Sequence, residues 1–256
     1  MRHEKFPLVL EYTRLKQNPL LEGVSGSGKT TVAEQVAEEM KLSFNLLGMT
    51  NMTSVGDILG FKSVDGRYIP TVFRESFENG GVFLLDEVDA ADPNTLLCLN
   101  TMANGYVAFP DKRVMMHKDF HLILTANPVH EGSLYTGRNT LDFSSKNRWK
   151  TISMPTDHAL EERLTSKLTA TITKAVRKCF KDNAISQTIT MRDAIRYHVA
   201  VKNDMQRFGE DPVDAFTFAQ PQLHTEVKRI VDKLIIQTRP LSDAKNMSEL
   251  YQMVQN

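Results

Sequence analysis

Three short clusters in this chain combine residue types that can do chemistry. The first is Gly23-Val24-Ser25-Gly26-Ser27-Gly28-Lys29-Thr30-Thr31, which satisfies G-x-x-x-x-G-K-[ST] at every position. Glycines at 23, 26 and 28 allow backbone conformations that a side chain would forbid, so successive N–H groups, including those of Ser25 and Ser27, can turn inward around an anion. Lys29 would reach the outer phosphates of a nucleoside triphosphate, and the Thr30 hydroxyl would hold Mg²⁺, with Thr31 beside it. The second cluster is Asp86-Glu87, directly after the apolar run Gly81-Val82-Phe83-Leu84-Leu85. Asp86 would hold Mg²⁺ directly or through water, and Glu87 would polarise a water for attack on a γ-phosphate. The third is Asn127-Pro128, closing the run His121 to Ala126. Its amide could position that water, or the pair could be an ordinary strand-terminating turn.

These residues need elements to hold them. Pro19 to Glu22 is short and apolar enough for a strand end. After the loop, Val32, Val36 and Met40 recur with Ala33 and Ala37 beside them, the buried face of a helix. Strand, glycine loop and helix is the order that gives the motif its meaning. The run ending at Asp86 reads as a parallel strand buried on both faces, with its carboxylates where open α/β sheets place ligands. Thr53 to Phe61 predicts a short helix, and Asp65-Gly66 between Val64 and Arg67-Tyr68-Ile69 signals a hairpin. Helices are predicted from Thr71 to Asn79 and from Asp92-Pro93 to Asn104-Gly105, the second with a cap and an N1 proline. A last strand, Trp149 to Met154, precedes Pro155, where the composition turns helical and richer in charge. There Thr190-Met191-Arg192-Asp193 resembles a capping-box start, Asp211-Pro212 opens another helix, and Val227, Ile230, Val231, Leu234 and Ile235 form the face of a final one. The expected architecture is an α/β, three-layer αβα P-loop core with a parallel sheet over residues 1–155, a small helical lid over 156–238 and a polar tail over 239–256.

Composition narrows the field further. With 41% hydrophobic and 24% charged residues, the 256-residue chain has a globular balance rather than a disordered or fibrous one. Its 31 basic and 31 acidic side chains cancel, so no global field draws it to nucleic acid or anionic membranes. Two cysteines, Cys98 and Cys179, cannot build a disulfide framework or a Cys-rich zinc site and suit a reducing compartment. No apolar run approaches the ~20 residues of a membrane helix, and the start lacks a secretory pattern. A soluble, cytoplasmic protein without membrane partners is expected. His117 and His121 fall around a turn and a strand rather than on one helix face, which argues against zinc.

In order along the chain, GVSGSGKT, VFLLDE, LILTANP and LDFSSKNRW resemble the Walker A, Walker B, sensor 1 and arginine-finger segments of AAA+ ATPases. The resemblance covers about residues 18–236 and is greatest to the MoxR and cobaltochelatase small-subunit (CobS-like) branch, to which dynein-related and midasin-type modules also belong. It implies an ATP- and Mg²⁺-dependent ATPase working as a homo-oligomer, a hexameric ring, that remodels a macromolecule. Arg148 then matches the finger reaching a neighbouring subunit's ATP, and Arg138 is a second interface candidate. Family members usually carry an acidic residue before the finger, where this chain has Asn147. Arg192 matches sensor 2, and the hairpin around Asp65-Gly66 resembles the helix-2 insert that projects toward the pore. Read without the family, Arg148 caps a helix from Leu141 to Arg148, Arg192 is an exposed first-turn arginine, and the hairpin is plain surface. The family often covers the adenine with N-terminal structure, and the short stretch before Gly23 implies weak adenine selectivity.

One local charge feature stands apart. Arg163 to Lys181 holds six basic residues and no acidic one. On an ideal helix Arg163, Lys167, Lys174, Lys178 and Lys181 fall within roughly 60° of arc. The stripe is either a solvated face or a grip on nucleic acid, and the β-branched run Thr169 to Thr173 could break the helix. The leading expectation is a chaperone-like or chelatase motor with a separate substrate-binding partner. The rivals are a nucleic-acid translocase or loader using the stripe, a nucleotide-gated scaffold with little turnover, and a small-molecule kinase that would leave Asn127 and Arg148 without roles.

Overall fold

The computed structural model describes residues 1–128, 148–182, 189–208, 211–217 and 223–238. The chain divides into two compact units, one of Arg2–Pro155 and one of Thr156–Asn256 together with Met1.

The first unit is built on a five-stranded parallel sheet. In chain order its strands are β1 (Pro19–Glu22), β2 (Phe44–Gly48), β5 (Gly81–Asp86), β8 (Phe120–Ala126) and β9 (Lys150–Ser153), arranged β2-β5-β8-β1-β9. The continuous apolar runs earn their central places, since β5 and β8 are buried on both faces. Side-chain alternation divides these strands between two cores. Leu20, Phe83, Leu85, Leu122 and Leu124 face one, with α3 (Val55–Leu59) and α4 (Val72–Asn79). Leu21, Val82, Leu84, Ile123 and Ile152 face the other, with α1 (Phe6–Arg14) and α2 (Lys29–Met40). The first core centres on five phenylalanines, in which Phe83 and Phe120 meet Phe73 edge-on at centroid distances of 5.2 and 5.9 Å. This is the expected three-layer parallel α/β arrangement.

Two small antiparallel hairpins leave the sheet. β3 (Phe61–Lys62) pairs with β4 (Tyr68–Ile69) at the predicted hairpin, where Gly66 takes φ 78°. β6 (Tyr106–Ala108) pairs with β7 (Arg113–Met115) at a place where no hairpin was expected. The helix α1 is also new. Pro7 lies in its first turn, where no intrahelical N–H partner is required, so it is compatible with the helix. Phe6, Val9 and Leu10 bury its inner face.

The segment Pro93–Asn104 begins and ends as expected, with Asp92 accepting from the Asn94 N–H at 2.8 Å and Gly105 closing it, but it is 3₁₀ rather than α-helical. Its buried apolar residues Leu96, Leu99 and Met102 recur every three positions, the period of a 3₁₀ turn. Caps and an N1 proline are shared by both helix types and could not distinguish them.

The second unit is helical. Its described helices are α5 (His158–Leu164), α6 (Lys167–Asp182), α7 (Met191–Lys202), the short α8 (Asp214–Thr217) and α9 (His224–Thr238). Leu168, Ile172, Val176 and Phe180 of α6 pack with Tyr197, Phe216, Val227 and Val231 in one core. The β-branched run does not break α6. The hydroxyls of Thr171 and Thr173 donate to the carbonyls of Lys167 and Thr169 at 2.8 Å each, which accommodates them within the helix. The basic stripe is nevertheless interrupted, because Arg163 sits on α5, across a break at Thr165-Ser166. Arg177 is committed to structure, forking onto the fully buried Glu161 at 3.0 and 2.6 Å. Among the described residues no helix is long and apolar enough to cross a membrane.

Candidate functional site

The site lies at the carboxyl edge of the sheet. β1 ends at Glu22, β5 at Asp86 and β8 at Ala126, and the register pairs Glu22 with Ala126 and Leu85 with Leu124. The adjacent strands β1 and β8 lead to opposite sides of the sheet, β1 toward β2 and β8 toward β9. Such a switch point is where open α/β sheets take their ligands.

The glycine loop fills this edge. Gly26 and Gly28 sit at φ 73° and 91°, and Gly28 is the residue that opens α2. No side chain caps that helix and no acidic residue stands in its first turn, an arrangement that suits an anion. Gly23 is held from both sides, its N–H donating to the Ala126 carbonyl at 3.2 Å and its Cα close to β9. Ser25 is half-buried, Thr31 is exposed in the first turn of α2, and Ser27 is buried with no hydrogen-bond partner at Oγ.

Lys29 is buried and curls back over the loop. Its Nζ donates to the carbonyls of Gly23 (2.5 Å) and Val24 (3.0 Å) and to Asn127 Oδ1 (3.1 Å). Asn127 is 2% exposed, and with its Oδ1 occupied it keeps a buried Nδ2 donor without a partner. Thr30 Oγ1 donates to Asp86 Oδ2 at 3.0 Å, placing a hydroxyl and a carboxylate from two elements side by side. Oxygen donors of this kind suit Mg²⁺, which is usually held by a few protein oxygens beside substrate phosphates. The uncapped helix end, the buried lysine and this oxygen pair together fit a magnesium-bound nucleotide. Lys29 and Thr30, Asp86, and Asn127, from three separate segments of the chain, thus converge on one edge with Glu87 next to them.

Two residues that the sequence did not single out complete the edge. Thr125, fully buried, donates to Asp86 Oδ1 and accepts from the Glu87 N–H at 2.8 Å. Asp89, also buried, accepts from the Asn127 N–H at 3.2 Å through Oδ1. A signal for Thr125 existed in the parity of the strands, since Val82, Leu84 and Asp86 alternate in step with His121, Ile123 and Thr125. The pairing itself depends on register, which that parity does not supply. Arg148 lies exposed in a turn just before the edge strand β9. Arg138, and residues 141–147 of the helix expected from Leu141 to Arg148, lie outside the described residues. Arg192 is exposed in the first turn of α7, in the second unit, where Thr190 and Asp193 form the predicted capping box.

A parallel αβα sheet with a glycine loop, an adjoining Thr–Asp pair and a strand-end asparagine defines a P-loop nucleotide-binding domain. The family model described as "AAA domain (dynein-related subfamily)" matches residues 18–148, half of the chain, and the chain belongs to that family. It is therefore an AAA-type ATPase domain that binds nucleotide. Among curated proteins it is 29% identical over 152 residues to midasin of Dictyostelium discoideum, an alignment covering 55% of this chain and 2% of midasin. It is 32% identical over 95 residues to an uncharacterized protein of Staphylococcus epidermidis, covering 34% of this chain and 36% of that one. The chain thus spans well under two thirds of either relative. The crystal structure of NtrX from Brucella abortus shares the fold at a TM-score of 0.50 and 17% identity, over 96% of this chain and 52% of that chain.

Proposed function

We propose that this chain hydrolyses ATP with Mg²⁺ at an active site completed by a neighbouring copy, in a hexameric ring of MoxR/CobS-like type. Hydrolysis would drive remodelling of a macromolecular partner recruited by a separate substrate-binding protein. A reducing cytoplasmic setting is in keeping with Cys98 and Cys179, neither of which is in a disulfide. In this reading residues 1–155 are the nucleotide-binding core, 156–238 are the helical lid, and 239–256 are a tail. The observation that carries the proposal is the convergence of Lys29, Thr30, Asp86 and Asn127 beside the uncapped start of α2.

Bound Mg–ATP supplies the scissile phosphoanhydride and a charge that offsets its oxygens. Lys29 would exchange the Gly23 and Val24 carbonyls for phosphate oxygens, with the start of α2 at Gly28 to Thr31 facing them, while the Gly23 N–H stays on the Ala126 carbonyl. Thr30 and Asp86 offer oxygens to the metal, and the Glu87 carboxylate accepts the proton of the attacking water. Asn127, its Oδ1 held by Lys29, presents Nδ2 as the donor. Arg148, exposed beside an edge strand, acts in trans, and Arg192 acts in cis from the lid.

The test is specific ATPase activity against protein concentration for wild type, Glu87→Gln and Arg148→Ala. Activity is expected to rise with concentration. Both variants should fall by about 100-fold or more, the scale of a general base or an arginine finger. Mixing the two variants should restore activity at interfaces that join an intact Glu87 to an intact Arg148. Concentration-independent turnover with a silent Arg148→Ala removes the trans finger and the ring mechanism with it.

A further inference from the structure

Resting on that reading of the edge as the hydrolytic site, we infer that Thr125 is the positioning residue that sets Asp86 and Glu87 together, through one hydroxyl.

The argument begins with what a hydroxyl can do. Thr125 Oγ1 has one proton and two lone pairs. The Glu87 backbone N–H can only donate, so at 2.8 Å the hydroxyl must accept from it. Its single proton is then committed to its other neighbour, Asp86 Oδ1. Thr30 Oγ1 donates to Asp86 Oδ2 at 3.0 Å, so both carboxylate oxygens are held and the plane of the group is fixed. Rotation of Asp86 would break two bonds at once.

Glu87 needs the other half of the contact. It is a non-glycine residue at φ 58° and ψ 47°, a left-handed conformation that side chains seldom adopt. There β5 stops and the chain turns into the 3₁₀ segment Val88–Ala90, so this backbone decides where the Glu87 side chain departs. Strain of this kind persists only where neighbours over-determine it. The neighbours are the Thr125 hydroxyl on the Glu87 N–H and the Ala90 N–H on the Glu87 carbonyl at 2.9 Å. Thr125 is fully buried, so water cannot replace it. The residue meant for metal is therefore held by its side chain, and the residue meant for water by its backbone, from the same atom on β8.

The full chain is compared with Thr125→Val, which keeps the shape, and Thr125→Ser, which keeps the hydroxyl. Thr125→Val should lower kcat by about tenfold or more, the scale of one hydrogen bond to a charged group. The Mg²⁺ concentration needed to tighten fluorescent ADP binding should rise several-fold, while ADP binding in EDTA stays at the wild-type level. Amide exchange across residues 85–91 of the ligand-free protein should quicken. Thr125→Ser should restore all three. Wild-type values of kcat, Mg²⁺ requirement and exchange in Thr125→Val overturn the inference. So does a loss equally large in EDTA that serine fails to rescue, because Thr125 then only packs. If the wild type binds nucleotide without turning it over, the hydrolysis reading fails instead, and the Mg²⁺ titration and amide exchange still decide the role of Thr125.

Discussion

Gly23 shows at the residue scale why the loop tolerates so little change. A Cβ there would lie 2.3 Å from the Met154 carbonyl and 2.9 Å from the Met154 Cβ, just past the end of β9. The obstacle on one side is backbone tied to β1 by the Met154 N–H on the Glu22 carbonyl at 2.7 Å, which cannot swing away as a flexible side chain can. Gly23→Ala must therefore push the loop off β9 or pull its N–H from the Ala126 carbonyl. It should destabilise the protein by about 1–3 kcal/mol, the usual cost of overpacking, and weaken nucleotide binding at the same time. Denaturant unfolding and a fluorescent-nucleotide titration check both. A wild-type midpoint would mean that β9 yields. Gly28 differs, because a Cβ there meets nothing within 4 Å and only its φ of 91° resists substitution.

At the scale of elements, Arg74 on α4 joins parts that have no strand pairing between them. It bonds Glu78 on its own helix at 2.8 Å and Asp111 in the β6–β7 turn at 2.9 Å. Its guanidinium lies 4.4 Å from the Phe109 ring centre and 5.2 Å from that of Tyr68 on β4. Burial opposes the charge, but the two carboxylates outweigh it and hold the guanidinium protonated. In return the Arg74 hydrogen bond lowers the Glu78 pKa. Burial would raise Asp111, yet its bonds, that from Arg74 foremost, bring it net below the usual carboxylate value. Carboxylates lowered in the folded state stabilise it above their unfolded pKa of about 4, and that contribution is lost as pH falls through the folded values. Arg74→Ala should thus cost about 2 kcal/mol at pH 7, below the full penalty of a buried pair because both carboxylates are partly exposed. The gap to wild type should narrow below about pH 4 in urea unfolding. A pH-independent gap would assign the whole effect to packing on Phe109 and Tyr68.

For the whole molecule, the glycine loop lies in the unit Arg2–Pro155, so the stabilisation by a bound nucleotide is to be read on that unit first. A ligand that binds only the folded state adds about 2.7 kcal/mol at 100 times its Kd. For a unit of this size that corresponds to a rise in Tm of about 5–10 °C. Mg–ADP should raise the melting transition of Arg2–Pro155 by that amount in wild type and leave Lys29→Ala unmoved. An equal rise in Lys29→Ala would place the nucleotide away from the loop. The equal number of basic and acidic side chains leaves recruitment of any macromolecule to local surfaces. The basic stripe is a weaker candidate for that role with Arg163 on another helix and Arg177 engaged by Glu161.

What was legible in the sequence was what is contiguous in the chain. The glycine loop packs its anion-binding groups into a few consecutive residues, and the apolar runs of β5 and β8 announce central parallel strands because burial on both faces excludes polar residues. Local signals placed α4 and α7 well, and in the structure Thr71 and Thr190 each close their own helix start within three residues. Whatever depends on one segment meeting another was decided by the tertiary structure. Thr125 meets Asp86 only because β5 and β8 pair Leu85 with Leu124; a one-residue slip would turn the hydroxyl to the opposite face. Asp89, just after β5, reaches the Asn127 N–H just after β8, and Arg74 finds Asp111 in a hairpin turn at Pro110-Asp111 that was not expected from the sequence. Arg177 left the basic stripe because a fully buried carboxylate, Glu161, lies within reach of it. Chain-local chemistry thus named the residues that would touch a nucleotide, and long-range packing chose those that hold them in place.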